Sequence, residues 1–176
     1  MKWLESENCR AKYKEIEGDW VAFVDRMHTR RTSAMVKEDA PCFAPFVHGK
    51  AEMLVLDHDN VTIEQFAKQQ LTLARDGLAA LVYTTFSHPK ATFEGRAYAR
   101  TIFRLSRAVT PEEYQEIAYY MSQVWPAPAD PKCFGERQVF FLPIVPPVNA
   151  TFGVRLRVFR GKPLNVDEFF SDNLRT

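Results

Sequence analysis

Cysteine is scarce in this chain, with three in 176 residues. Cys9, Cys42 and Cys133 leave one thiol over in any intramolecular pairing and lack the paired spacing of a zinc site. A disulfide scaffold and a zinc module are therefore excluded, and a reducing compartment is expected. Excess charge of one sign is also missing: 23 Lys and Arg stand against 22 Asp and Glu, a net charge of +1. No global electrostatic footprint for nucleic acid follows, so any such binding must rely on a local patch and be salt-sensitive. Arg30 and Arg31, with Lys37 nearby, are candidates for it, and equally for a solvated loop. No apolar run approaches the roughly 20 residues that span a bilayer. The charged opening MKWLESENCRAKYKE does not read as a signal peptide, so a cytoplasmic protein with no membrane association is expected. Repeats and low-complexity tracts are absent.

What is present suits one compact domain, with 46% hydrophobic and 13% aromatic residues. Tyr13, Ile16, Trp20, Phe23 and Val24 fall at helical spacing, which predicts a helical opening over about residues 1–50, with Pro41 and Pro45 breaking regularity before a core over about 51–170. MLVLDHD reads as a strand. A helix follows, with a Thr62/Gln65 capping box and a Gly77 stop. LAALVYTTF reads as a buried strand, and further strands are expected near Tyr98 to Leu105, Gln138 to Leu142 and FGVRLRVF. Between the first two of these, a helix capped at Thr110 and opened by Pro111 runs toward Trp125, and PAPADPK forms a loop around Asp130. The expected fold is a single α/β (α+β) domain, residues 1–176, with a mixed, partly antiparallel sheet and flanking helices.

Two strand ends carry chemistry. In MLVLDHDN, alternation puts Asp57 and Asp59 on one face, about 7 Å apart, and turns His58 away. Two hard carboxylates can share Mg²⁺ or Mn²⁺, and two such ions assist phosphoryl transfer; the same pair also suits a solvated turn. The other strand ends in Ser87, His88 and Lys90, whose donors and charge suit phosphate oxygens or simply close a turn. Together the two ends suggest nucleotidyl transfer. No G-x-S-x-G elbow surrounds Ser87, which argues against a hydrolase triad. His28, His48 and His58 lack metal-ligand spacing and read as surface or locally bonded. Phe140, Phe141, Phe152, Phe159, Tyr119 and Tyr120 read as core rather than base-stacking platforms.

The strings YTTFSH, RTIFRLSRAVTPEEY and ADPKCFGERQVFFLP, taken in order, resemble the catalytic core of the archaeo-eukaryotic primase superfamily, in particular the primase-polymerase domains of plasmid and phage replication proteins. The likeness runs from about Met53 to Pro143. It implies that Asp57 and Asp59 hold the catalytic metals and that Ser87 and His88 bind the triphosphate of the incoming nucleotide, with Lys90 nearby. Asp130 is the best match for the family's third acid, with Glu112, Glu113 and Asp167 competing; the glutamates also suit the start of a helix. Arg100 matches a basic residue that would contact phosphate or template. Arg107 and Arg137 match family arginines with equally good structural explanations, and Arg104 departs from a family proline.

The implied function is template-directed synthesis of primers, with DNA polymerase activity as a second capacity, using Mg²⁺ or Mn²⁺, nucleoside triphosphates and a single-stranded DNA template. The chain is too short to join a primase to a full helicase, so a replicative helicase would be a separate protein. The alternative is a non-catalytic single-stranded nucleic-acid-binding accessory module that keeps the same fold.

Overall fold

A β-hairpin, rather than the expected helix, opens the chain. In the computed structural model, which describes residues 1–8, 10–29, 32–33, 39–85, 95–145 and 155–173, β1 (Lys2–Ser6) pairs antiparallel with β2 (Lys14–Glu17), Trp3 opposite Ile16. The helix α1 (Trp20–Thr29) begins only after Gly18, where Asp19 accepts a 2.8 Å bond from the Ala22 N–H as its cap. Helical spacing across 13–24 misleads because Ile16 answers to Trp3 on the neighbouring strand. Trp20 and Phe23 instead pack on the helix: Trp3 meets Phe23 edge-on at 5.2 Å. Three short strands follow, β3 (Thr32–Ser33), β4 (Cys42–Ala44) and β5 (Phe46–Val47), so the stretch interrupted by Pro45 is more regular than its prolines suggest.

The main sheet's central part begins with the long strand β6 (Lys50–Thr62), then α2 (Ile63–Asp76) and β7 (Ala80–Thr84). Both halves of the Thr62/Gln65 capping box form, and Gly77 ends α2 in the left-handed conformation at φ 61°. β8 (Arg96–Val109) leads to α3 (Pro111–Val124), capped by Thr110 with Pro111 in its first turn, as its sequence predicts. A 3₁₀ turn (Pro131–Phe134), β9 (Phe140–Phe141), β10 (Ile144–Val145), β11 (Leu156–Phe159) and α4 (Val166–Asn173) complete the chain. The main antiparallel sheet has the order β11-β7-β8-β6-β5, a smaller one β2-β1-β4-β9, and β10 pairs parallel with β3. The result is a mixed α+β domain with four α-helices among the described residues.

Aromatic contacts join the smaller sheet to its helix. Phe23 meets Phe43 at 5.7 Å, and Phe43 meets Phe140 at 5.7 Å, so β4, β9 and α1 share one packed layer. At the far end of the main sheet, a Cβ on Gly161 would stand 2.2 Å from the Gly77 carbonyl oxygen, so only glycine permits that approach.

The outer edge of β6 matters most for the site. β5 covers it only beside Lys50 and Ala51. Farther along, the Tyr114 hydroxyl of α3 accepts from the Val55 N–H (3.0 Å) and donates to the Val55 carbonyl (3.3 Å). Two residues on, the Asp57 carbonyl accepts the Asp130 N–H at 2.8 Å. An edge that would otherwise be open to strand pairing is thus closed by a helix and by the loop carrying Asp130.

Candidate active site

Asp57, Arg100 and Tyr83 form one cross-strand row: Asp57 lies opposite Arg100, and Arg100 opposite Tyr83, across β6, β8 and β7. Side chains in such a row share a sheet face, so their contact follows from register. Arg100 donates through Nε to Asp57 Oδ1 (3.1 Å) and through Nη2 to Oδ2 (2.9 Å), a two-point fork. Its Nη1 donates to the Tyr83 hydroxyl (3.0 Å) and to the Phe141 carbonyl (2.8 Å), and Phe140 lies 4.8 Å beneath the guanidinium. Burial works against this charge, but Asp57 and Tyr83 outweigh it and hold Arg100 above its ordinary pKa. Together these bonds take four of the five guanidinium N–H groups for internal partners. Arg100 is 5% exposed, which leaves little of it to meet a phosphate or template.

Asp59 is placed by an irregularity that alternation alone does not reveal. His58 pairs with Ala99 and Val61 with Ala97, so β6 carries one extra residue in a β-bulge between them. Strict alternation therefore ends just before Asp59, which is exposed.

Asp130 arrives from the other direction. Its side chain accepts from the Lys132 N–H (3.0 Å), capping the 3₁₀ turn, while its own N–H reaches Asp57. The turn inserts Cys133, 6% exposed, whose thiol faces Asp57 Oδ2 at 3.8 Å. Burial and then the Asp57 charge push that thiol up to about 12; Arg100 opposes, and Asp130 and Asp59 reinforce the rise. Asp57 is in contact with this buried thiol, and Asp130 and Asp59 act on it only through their charge.

Their chemistry fits a hard divalent cation, being all carboxylate oxygen. Asp57 accepts two N–H groups and a weak S–H contact, within a capacity of about four lone-pair sites, and so retains room for one further ligand. The arrangement is not a finished cage, since among the described residues no three His, Cys, Asp or Glu side chains converge on one point as a metal group.

The competing acids have other partners. Arg107 donates to Glu113 (2.8 Å) and Asp167 (2.8 Å), clasping α3 and α4 to β8. Glu113 also closes the Thr110 capping box. Arg104 and Arg137 are exposed. Ser87, His88 and Lys90 lie outside the described residues, as do Arg30, Arg31 and Lys37.

Two sequence readings need correction. Tyr119, expected in the core, is 60% exposed because it lies on the outer face of α3; it borders a hollow with Lys132 and Phe134 beside the Asp130 turn. Tyr120 is 38% exposed and rests against Phe169. His58, read as a surface or locally bonded residue, is fully buried, with partners 11, 43 and 70 residues away. Alternation predicts that it turns away from Asp57, but no local signal names those partners.

No protein-family model matches the chain, and no curated protein matches it. Among solved structures it is similar to the catalytic domain of primase RepB' in complex with initiator DNA, with a TM-score of 0.50 and 14% identity over 99% of this chain and 89% of that one. A second structure of primase RepB' gives a TM-score of 0.43 and 13% identity over 81% of this chain and 43% of that one. The first of these shows that the chain has the fold of a primase catalytic domain, as its motif order implies. Among the described residues, no helix is long and apolar enough to cross a membrane.

Proposed function

We propose that this chain is a primase-type nucleotidyltransferase that extends a 3′ hydroxyl on a single-stranded DNA template, with pyrophosphate leaving. The observation that carries the reading is the bond from the Asp130 N–H to the Asp57 carbonyl, which draws an acid from a distant loop to the stretch of β6 bearing Asp57 and Asp59. The likeness to a primase catalytic domain along nearly the whole chain supports it.

In this reading Asp57, Asp59 and Asp130 hold Mg²⁺ or Mn²⁺, which when bound activates the attacking hydroxyl and stabilises the leaving oxygen. Arg100 orients Asp57 rather than gripping the triphosphate, because its donors are committed internally. Ser87, His88 and Lys90 are assigned to the triphosphate, where a hydroxyl, a ring N–H and an ammonium can each donate to phosphate oxygens. Tyr119 and Lys132 offer an exposed ring and a cation for the template, the pairing that single-stranded nucleic acids use. DNA polymerase activity, service in plasmid or phage replication, and partnership with a separate helicase extend the same proposal.

One observation favours a non-catalytic nucleic-acid-binding module: both Asp57 oxygens already accept from Arg100. Incorporation of labelled nucleotides on single-stranded DNA with Mg²⁺ or Mn²⁺ decides between the two readings. Synthesis that is lost in Asp57→Ala supports the enzyme, and salt-dependent DNA binding without synthesis supports the module.

A further inference from the structure

Four consecutive residues, Ala127 to Asp130, have their backbone groups held from three separate elements. The Ala127 N–H donates to Gln69 Oε1 of α2 (3.2 Å), and the Pro128 carbonyl accepts from His58 Nδ1 of β6 (3.0 Å). Ser122 of α3 bonds both the N–H and the carbonyl of Ala129 (3.1 Å each), and the Asp130 N–H reaches Asp57. His58, Gln69 and Thr101 are all 0% exposed, and Ser122 is 9% exposed.

The hydrogen bonds fix the tautomer of His58. A carbonyl only accepts, so Nδ1 carries the proton, and the single lone pair of Nε2 is shared between two donors, Thr101 Oγ1 (2.9 Å) and Gln69 Nε2 (2.8 Å). Gln69 Nε2 also donates to Thr101 Oγ1 (2.8 Å), so the three side chains close on one another beneath the sheet. Burying three polar side chains is unfavourable unless every group is bonded, and a satisfied network of this kind fixes one geometry. Here the geometry fixed is the height of the Asp130 loop against the strand bearing Asp57 and Asp59.

We infer that His58 is a positioning residue, which sets Asp130 against Asp57 and Asp59 by holding the Pro128 carbonyl from the opposite face of β6. This rests on the proposal that the three acids form one metal-binding site. His58 touches neither substrate nor metal, and it acts through the loop. Alternation explains the economy of the device: one strand presents Asp57 to the site on one face and, one residue on, the residue that locates the third acid on the other.

The test compares two substitutions of similar size in the full chain. In His58→Asn the amide nitrogen stands near the Nδ1 position and keeps the Pro128 bond, whereas in His58→Gln the amide stands near Nε2 and loses it. Mn²⁺ binding is followed by the loss of the free-ion electron paramagnetic resonance signal, without nucleotide or DNA. Hydrogen exchange of the Asp130 amide is measured alongside, without metal. The expected result is that H58Q weakens Mn²⁺ at least tenfold and speeds Asp130 exchange at least tenfold, while H58N stays within threefold in both. Equal behaviour of folded H58Q and H58N overturns the assignment. If H58Q fails to fold, Thr101→Val, which removes the hydroxyl that steadies Nε2, should speed Asp130 exchange at least threefold, and unchanged exchange overturns the assignment. A wild-type chain that binds no Mn²⁺ contradicts the proposed function instead, and the exchange comparison still decides the role of His58.

Discussion

Arg100 and Asp57 face each other across β8 and β6 and share two hydrogen bonds, with side chains 6% and 14% exposed respectively. The pair therefore sits where removing one partner leaves the other charge buried. Arg100→Met should cost about 3–5 kcal/mol of stability in urea denaturation. The double variant with Asp57→Leu should recover part of that, because no charge is then stranded. A loss below about 1 kcal/mol for the single variant, the range of exposed pairs, would mean that the fork is solvated.

Tyr114 gives a second test, independent of the acids. Its hydroxyl satisfies the N–H and the carbonyl of Val55 on an edge that, among the described residues, has no strand beside it there. Tyr114→Phe leaves both groups buried and unpaired, which should cost about 1–3 kcal/mol and speed exchange of the Val55 amide. Wild-type exchange at Val55 would show that water or another strand covers that edge.

The acid limb of stability should depend on Glu113. The Arg107 hydrogen bond, followed by the Thr110 N–H, holds its carboxyl below the ordinary 4.5. A folded-state value below the unfolded one means that its contribution is complete above about pH 4.5 and disappears as pH falls through the folded value. Glu113→Gln should therefore lower Tm at neutral pH and narrow its gap to wild type in acid. A gap that widens in acid would reverse the sign.

How much of this was readable in the sequence depends on how far each cause lies along the chain. The caps at Thr62, Gly77 and Thr110 act within four residues, and both helices begin where those residues stand. The first helix was misplaced because Ile16 is claimed by Trp3 through strand pairing, a contact no window across 13–24 contains. Asp57 and Asp59 read as a strand end, whereas β6 runs on to Thr62, and the bulge that sets Asp59 depends on the register of β8. Likewise, Arg100 was legible as a basic strand residue, yet its attachment to Asp57 arises only when β6 and β8 align. Nothing in the sequence marks Cys133 beyond being one of three scattered cysteines, yet its thiol faces Asp57, carried there by a turn whose cap is Asp130 itself.

Asp130 separates the enzyme from its alternative at the level of one side chain. Asp130→Asn removes charge at nearly constant shape, so metal affinity and synthesis should fall together while stability measured without metal changes little. Synthesis left intact would confine Asp130 to capping the turn, a role its bond to the Lys132 N–H already describes.

The most direct measurement is incorporation of labelled nucleotides by the purified chain on a single-stranded DNA template, with and without Mg²⁺ or Mn²⁺. Synthesis should require the metal and fall on the order of 100-fold or more in folded Asp57→Ala and Asp59→Ala. No incorporation by the wild-type chain under any of these conditions, or full activity in either folded variant, would contradict the proposed function.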